Sequence, residues 1–256
     1  MSDKEREYRR YDDRARRVLA SIESGAATGH GDEALPVVFG APYSFYESRI
    51  REIVKQKDRV LELGAGLGAH TRVLLEAGGH VTATDISPHS LQVLQKTMNV
   101  NEQRLKTHVA DIEGLPFEPE SFDVVVSAGS LSYGDSLAVD SEVQRVLRRG
   151  GSFICIDSYN HNPIYRLNRW IQYLRGLRSR GTLLNMPDEA RLRIIARRYE
   201  SVEVKYFGSV SWAMPLISRF LGEVRAARLS DLIDEKVNVQ RAAFKFVLVA
   251  RGCRKQ

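Results

Sequence analysis

The chain alternates between two patterns of apolar and polar positions. Apolar runs typical of buried strands occupy 59–63, 80–84, 105–109, 122–127 and 151–157, and two more follow near 201–207 and 243–250. The segments at 69–78, 87–99 and 136–149 are predicted to be helices. Strands that alternate with helices predict a parallel sheet with helices on both faces.

Further helices are predicted outside this alternation. Residues 3–24 form a charged helical stretch before a glycine-rich hinge at 25–32, and Pro42 suits the first turn of a second helix. After the fifth strand, Asn162-Pro163 would start a helix that Gly181-Thr182 would end, and 187–189 would open another. Apolar positions within 212–240, including Trp212 and Phe220, predict a helical cover.

A glycine-rich loop follows the first strand, in the run Val60-Leu61-Glu62-Leu63-Gly64-Ala65-Gly66-Leu67-Gly68. Without a Cβ, the backbone can turn sharply and a ligand can lie against it. The helix that follows presents unpaired N–H groups at its start. The run predicts a nucleotide- or nucleoside-binding strand–loop–helix. A tight turn that binds no ligand and a nicotinamide site are the alternatives.

Two later strands lead into carboxylates. The second strand ends at Asp85, and the third runs into Ala110-Asp111-Ile112. Because the carboxyl ends of parallel strands line the ligand crevice, Asp85 should lie beside the glycine loop. A carboxylate in that position can accept hydrogen bonds from both hydroxyls of a ribose.

The pattern Glu62-x-Gly64-x-Gly66-x-Gly68 resembles motif I of the class I S-adenosylmethionine-dependent methyltransferases. Residues 55–157 resemble that family in the order of their motifs. The resemblance implies methyl transfer with S-adenosylmethionine as cofactor and S-adenosylhomocysteine as product. It also implies that Asp111 faces the adenine amino group and that Ile112 packs on the ring. The cofactor-binding residues that it implies are Glu62, Gly64, Ala65, Gly66, Gly68, Asp85, Ile86, Asp111, Ile112 and Ser127.

The expected fold class is α/β. It is a seven-stranded, doubly wound, mostly parallel sheet of the Rossmann-like methyltransferase type, with a reversed last strand and helical insertions. A single methyltransferase domain is expected over 1–256. Within it, residues 1–54 would form an N-terminal helical lid and residues 55–157 the cofactor-binding core. Helical insertions on the substrate side are expected at 158–200 and 208–242.

Charge is distributed unevenly along the chain. The net charge is +6, and residues 158–200 hold nine arginines against three acids, while the remainder balances 29 bases with 29 acids. This favours an anionic partner, with a solvated helix face as the alternative. The two cysteines and the acidic residues lack the spacing of a metal site, so no metal is expected. Without a signal-like or membrane-spanning apolar run, a cytoplasmic location is expected.

Candidate catalytic residues follow from the chemistry of methyl transfer. The reaction requires alignment of donor and nucleophile, and an alcohol acceptor also needs a base. His161, just after the fifth strand, is the first candidate because histidine titrates near neutrality, although it could instead help to cap the next helix. Tyr133, in the loop after the fourth strand, is the second. The chain lacks the Asn/Asp-Pro-Pro-Tyr and Pro-Cys motifs, which disfavours methylation of nucleobases.

The expected acceptor is a small molecule, methylated on oxygen, with an anionic or sugar-containing structure. Arg166 and Arg169 would bind its charged groups, since arginine binds phosphate with paired hydrogen bonds. Tyr11 and Tyr43 of the lid would contact it. The basic amphipathic segment 163–180 could instead rest on an anionic membrane.

Other functions remain open on the sequence alone. An RNA methyltransferase would use the same arginines and would bind RNA with a steep dependence on salt, but the chain has no recognisable RNA-binding module. A non-catalytic regulator that binds S-adenosylmethionine would keep the fold without transfer. A nicotinamide oxidoreductase is the remaining alternative. The sequence gives no indication of the oligomeric state.

Overall fold

The computed structural model describes residues 3–25, 40–176, 178–210, 213–236 and 240–255. Its centre is a seven-stranded sheet with the strand order β3-β2-β1-β4-β5-β7-β6. The strands are β1 (Arg59–Leu63), β2 (His80–Asp85), β3 (Leu105–Val109), β4 (Phe122–Ala128), β5 (Leu147–Ser158), β6 (Tyr199–Phe207) and β7 (Lys245–Cys253). The first five are parallel, and β7 is antiparallel to both of its neighbours. The expected fold class, with its reversed last strand, is confirmed.

The helices lie between and beyond these strands. They are α1 (Asp3–Glu23), α2 (Gly40–Ile53), α3 (Thr71–Glu76), α4 (Pro88–Met98), α5 (Ser136–Val146), α6 (Pro163–Leu174), α7 (Arg180–Leu184), α8 (Glu189–Arg197), α9 (Met214–Leu221) and α10 (Glu223–Lys236). Short 3-10 turns occupy Leu131–Tyr133 and Gln240–Ala242. Pro163 and Pro88 both occur in a first helical turn, after the side-chain caps Asn162 and Ser87.

The sheet separates two apolar cores. Successive side chains of a strand point to opposite faces, so Val124 and Val126 of β4 enter one core and Val125 enters the other. Both faces are covered, which explains why the central strands read as continuous apolar runs. Cys155 of β5 is fully buried with a free thiol. It is therefore a small core residue.

Two boundaries differ from the sequence prediction. Strand β5 begins at Leu147 rather than at 151, because Leu147 pairs with Phe122 before a register shift, after which Ser152 pairs with Val124. Helix α6 ends at Leu174, and Gly181-Thr182 lies inside the short helix α7 instead of ending α6. The Ser179 side chain caps α7, a signal that the sequence analysis missed. The predicted hinge and Trp212 fall largely or wholly outside the described residues.

Candidate functional site

Two of the glycines in the loop after β1 have different roles. Gly64 and Gly66 have φ angles of +65° and +54°, in the left-handed region that favours glycine. A Cβ on Gly64 would lie 2.6 Å from the Cβ of Ser130, whereas a Cβ on Gly66 would meet no atom within 4 Å. Gly64 therefore allows close packing against the loop after β4. Gly66 borders open space that a ligand can enter.

Asp85, at the end of β2, fixes the shape of this loop. Its Oδ2 accepts a hydrogen bond from the N–H of Gly66 at 2.9 Å, and its Oδ1 accepts one from the N–H of Ser87 at 2.8 Å. Burial raises the pKa of Asp85, and the backbone hydrogen bonds oppose that rise. The carboxylate keeps lone pairs that can accept hydrogen bonds from a ribose.

Glu62 lies beneath the loop, with only 3% of its surface exposed. Its Oε2 accepts a hydrogen bond from the Thr71 hydroxyl at 2.6 Å, which ties β1 to the first turn of α3. Burial raises the pKa of Glu62 to about 7. Glu62 thus supports the loop from below.

A cavity of about 210 Å³ lies above the glycine loop. It brings together many of the residues predicted from the sequence, namely Tyr11, Gly64, Gly66, Asp85, Ile86, Asp111, Ile112 and Tyr133. The strands β1, β2, β3 and β4 all end at this edge, which is why residues distant in the sequence meet there.

Other predicted residues do not line the cavity. Ala65 and Gly68 belong to the loop itself, and the Ser127 hydroxyl bonds that of Ser130 at 2.7 Å behind it. Tyr43, His161, Arg166 and Arg169 also lie outside the cavity lining. The cofactor-type cavity is therefore separate from Tyr43, Arg166 and Arg169, which were predicted to bind the acceptor, whereas the fourth such residue, Tyr11, lines it.

Helix α1 forms one wall of the cavity. Lys4, Glu7, Tyr8 and Tyr11 line it, at the spacing that places side chains on one face of a helix. Lys4 forms ion pairs with Asp111 and, at 2.9 Å, with Glu113. Burial alone would lower the pKa of Lys4, but these carboxylates outweigh it and raise the pKa.

Two contacts anchor α1 on the core. Asp12 accepts a hydrogen bond from the Ser87 hydroxyl and bonds Nδ1 of His89, both at 2.8 Å. Burial opposes ionisation of Asp12, but these bonds outweigh it and lower its pKa. Asp3 accepts a hydrogen bond from the N–H of Gly181 in α7 at 2.7 Å. Helix α1 therefore bridges α4 and α7 over the cavity.

Tyr133 closes the cavity on the side of β4. Its hydroxyl is hydrogen-bonded to that of Tyr11, and burial raises its pKa well above the ordinary value. The raised pKa favours the protonated hydroxyl, which can donate a hydrogen bond.

A buried ion pair holds the turn that carries Tyr133. Asp140 of α5 and Arg191 of α8 approach to 2.8 Å, with side-chain exposures of 4% and 6%. Arg191 also donates a hydrogen bond to the carbonyl of Leu131 at 3.0 Å. From the other side, Asp157 accepts a hydrogen bond from the N–H of Leu131 at 3.0 Å.

Two of the remaining predicted residues, His161 and Arg169, contact Tyr159 at the end of β5. The ring of His161 stacks on that of Tyr159 with centroids 5.7 Å apart, and Arg169 donates a hydrogen bond to the Tyr159 carbonyl at 3.0 Å. Arg166, one position before Leu167 on α6, is exposed. Tyr43 instead stacks on His70 at 5.6 Å.

Among the cavity-lining residues that were not predicted as site residues are three of α1, namely Lys4, Glu7 and Tyr8. They lie at helical spacing from Tyr11, so a signal was available once Tyr11 was selected. Within the described ranges, no group of three or more His, Cys, Asp or Glu residues could hold a metal ion. None of the helices in the described part of the chain is long and apolar enough to cross a membrane.

Comparisons with known proteins agree with this geometry. The family model "Methyltransferase domain" matches residues 61–155. The sterol 4-C-methyltransferase strm-1 of Caenorhabditis elegans is 28% identical over 162 residues, which cover 62% of this chain and 45% of that protein. A demethylmenaquinone methyltransferase of Clavibacter sepedonicus is 34% identical over 115 residues, 43% of this chain and 45% of that protein. The chain thus spans about half the length of these curated relatives.

A solved structure extends the likeness to nearly the whole chain. It is the putative methyltransferase of Haloferax volcanii in complex with the Trm112 methyltransferase activator, with a TM-score of 0.64. The alignment covers 95% of this chain and 98% of that one at 20% identity, so it supports the fold. Sequence match and sheet order agree: residues 61–155 match a methyltransferase domain, and the comparisons support a class I methyltransferase fold with S-adenosylmethionine as cofactor.

Proposed function

We propose that the protein transfers a methyl group from S-adenosylmethionine to an oxygen of a small-molecule acceptor that carries an anionic group. The observation that carries the proposal is the buried guanidinium of Arg169, which lies beside the end of β5 and has no carboxylate partner for its Nη2. An anionic acceptor would supply the partner that the protein does not.

The cavity residues fit the proposed use of the cofactor. Asp85 offers carboxylate lone pairs to a ribose, while Ile86 and Ile112 offer apolar surface to an adenine ring. The open space beside Gly66 allows the backbone to approach a ligand closely. When bound, S-adenosylmethionine supplies an electrophilic methyl group on a sulfonium. Helix α1 would exclude water from that site and act as its lid.

Arg169 is buried without a counter-ion. Only 4% of the residue is exposed, and its Nη2 has no hydrogen-bond partner. Burial and the nearby Arg178 lower the pKa of Arg169 to about 10. None of the ion pairs among the described residues includes Arg169. Buried charges are normally paired, so an anion with two acceptor oxygens is the ligand that best satisfies this site.

His161 is the proposed base for such an acceptor. Its ring stacks on Tyr159, and the carbonyl of the same Tyr159 accepts the hydrogen bond from Arg169. A ligand held by Arg169 would therefore have a half-buried imidazole nearby, and a neutral imidazole nitrogen can accept a proton from a hydroxyl. Tyr11 and Tyr133 would orient the reacting groups by hydrogen bonding.

The test compares two arginines of the same segment. Arg169→Gln removes the buried charge, whereas Arg193→Gln alters an arginine that is exposed on α8 and paired with Glu189. We would screen acceptors in matched pairs, one carrying a phosphate or carboxylate and the other its neutral ester, and measure formation of S-adenosylhomocysteine.

Arg169→Gln should raise KM for the anionic member about tenfold or more and leave the neutral member unchanged. Affinity for S-adenosylmethionine should be unaffected, and Arg193→Gln should change neither property. Preference for the neutral ester in the wild-type protein would overturn the anionic assignment. Normal cofactor binding without transfer to any acceptor would instead favour a non-catalytic regulator.

A further inference from the structure

Helix α6 presents an apolar face to solvent. Its inward side carries Tyr165 and Arg169, while Ile164, Leu167, Trp170, Ile171 and Leu174 are between 36% and 61% exposed. At about 100° per residue, these five side chains occupy a single arc of about 120° opposite the buried side. A contiguous exposed apolar face of this kind marks a surface that binds something.

A second exposed apolar face lies at the same edge of the sheet. Strand β6 is antiparallel to β7, which is antiparallel to β5, so β5 and β6 end at the same edge. Helix α9, soon after β6, exposes 64% of Leu216 and 78% of Phe220, one turn apart. We call Leu167, Trp170 and Leu174 of α6, together with Leu216 and Phe220 of α9, the apolar edge surface.

The two helical insertions are joined near the end of β6. The Tyr165 hydroxyl of α6 donates a hydrogen bond to the Gly208 carbonyl at 3.2 Å. Asp234 of α10 accepts hydrogen bonds from the N–H groups of Gly208 and Ser209, at 2.6 Å and 3.1 Å. Because α9 and α10 follow one another closely, these bonds keep both parts of the apolar edge surface on the same side of the protein.

The charges around this surface select an anionic partner. Residues 158–187 contain five arginines and no acidic residue. On α6, the exposed Arg166 and Arg175 lie just beyond the two borders of the apolar arc. The exposed Arg219 lies beside Phe220 on α9. Apolar side chains between arginines, with a tryptophan among them, suit insertion between anionic lipid headgroups.

We infer that the apolar edge surface docks on a membrane that contains anionic lipid. Docking would bury the apolar side chains at the level of the acyl-chain boundary and pair the flanking arginines with lipid phosphates. A second copy of the chain fits less well, because pairing of the α6 faces would bring arginine borders together. The surface lies at the edge where the cofactor cavity opens, so docking would bring the site to the bilayer.

The test uses the full chain and vesicles without donor or acceptor, so its result is independent of the proposed transfer reaction. Co-flotation is measured with two kinds of vesicle, one of phosphatidylcholine alone and one in which phosphatidylglycerol makes up one third of the lipid. We expect affinity for the anionic vesicles to be at least about tenfold higher, and to fall as salt rises. In a Trp212→Phe background, emission from Trp170 should shift to the blue on binding.

Substitutions on the apolar edge surface test whether this surface makes the contact with the membrane. Leu167→Glu with Phe220→Glu should weaken binding to anionic vesicles at least about tenfold, because charges replace inserted side chains. Arg166→Gln with Arg175→Gln should reduce the preference for anionic lipid. Val100→Glu, at a 40% exposed apolar position that precedes β3 at the opposite edge, is the matched control and should bind as the wild type does.

Three results would overturn the inference. The first is that the wild-type protein does not float with anionic vesicles at low salt. The second is that Val100→Glu loses as much vesicle binding as Leu167→Glu with Phe220→Glu. The third is that the wild-type protein is a dimer, which Leu167→Glu with Phe220→Glu dissociates without any change in vesicle binding. The last would assign the surface to a second copy. Thermal unfolding of each variant checks that an exposed substitution has left the fold intact.

Discussion

Two halves of this molecule differ in how the charged groups at their candidate sites are bound. In the cofactor half, formed by α1 and the strands β1 to β4, the carboxylates of Asp12, Glu62 and Asp85 all accept hydrogen bonds from the protein. In the insertion half, formed by α6 to α10, Arg169 keeps an unpartnered nitrogen and large apolar side chains face solvent. The difference fits the proposed roles, in which the cavity is already shaped for the cofactor and an anionic acceptor would complete the site at Arg169.

The largest expected effect comes from breaking the buried ion pair that joins α8 of the insertion half to α5. Asp140→Ala leaves the buried Arg191 guanidinium without its carboxylate, which should lower the free energy of unfolding by about 3–5 kcal/mol. Urea unfolding followed by circular dichroism measures this loss. The control is Glu189→Ala, which removes the partner of the exposed Arg193 on the same helix and should cost less than about 0.5 kcal/mol. Similar losses in both would show that burial does not govern this pair.

The second-largest expected effect is a loss of cofactor binding in a variant of Asp85, which a variant of His161 should not show. Asp85→Ala removes the acceptor of two backbone hydrogen bonds and the carboxylate proposed for the ribose. Affinity for S-adenosylmethionine, measured by calorimetry, should fall about 100-fold. His161→Ala should leave that affinity unchanged and slow transfer. Equal loss of cofactor binding in both variants would contradict this division of roles.

The smallest expected effect concerns the pH dependence of the cofactor half. Burial raises the pKa of Glu62 from 4.5 to about 7, so the folded state holds this proton more tightly than the unfolded state does. The contribution of Glu62 to the free energy of unfolding is therefore greatest below about pH 4.5. It falls as the pH rises towards 7 and stays low above pH 7. The upper limit of the loss is about 3 kcal/mol.

Glu62→Gln should flatten this dependence. The amide oxygen can still accept the hydrogen bond from Thr71, but the side chain no longer ionises. The free energy of unfolding of Glu62→Gln, measured at pH 5, 6, 7 and 8, should therefore approach that of the wild-type protein at low pH and exceed it at pH 8. Asp85 and Asp157 also have raised pKa values, and they contribute equally to both proteins. Parallel curves for the two proteins would contradict the assignment to Glu62.

Much of the cofactor half could be predicted from the sequence because its signals are local. Glycine spacing after β1 and the acids at the ends of β2 and β3 are features of single strand–loop units. The rule that parallel strands present their carboxyl ends at one edge brings those units together. The sequence therefore led to Gly66, Asp85 and Asp111, all of which line the cavity.

The insertion half was less predictable because its roles depend on which way helices face. Arg166 and Arg169 lie on the same helix and look alike in sequence, yet one is exposed and the other is 4% exposed. Likewise, Gly181-Thr182 reads as the end of a helix but lies within α7, since Ser179 supplies a cap. Lys4 and Glu7 became cavity residues only because α1 packs across the edge.

The sequence by itself determined the likeness to a methyltransferase domain, the sheet and the glycine loop, because short-range patterns and the handedness of strand connections restrict these strongly. Only the tertiary structure decided which arginine is buried, which apolar face of α6 remains uncovered, and which residues α1 adds to the cavity. Those outcomes depend on contacts between segments far apart in the chain, such as Asp12 with Ser87 and Arg191 with Asp140. No local sequence pattern predicts these contacts, because the two residues of each contact lie far apart in the sequence.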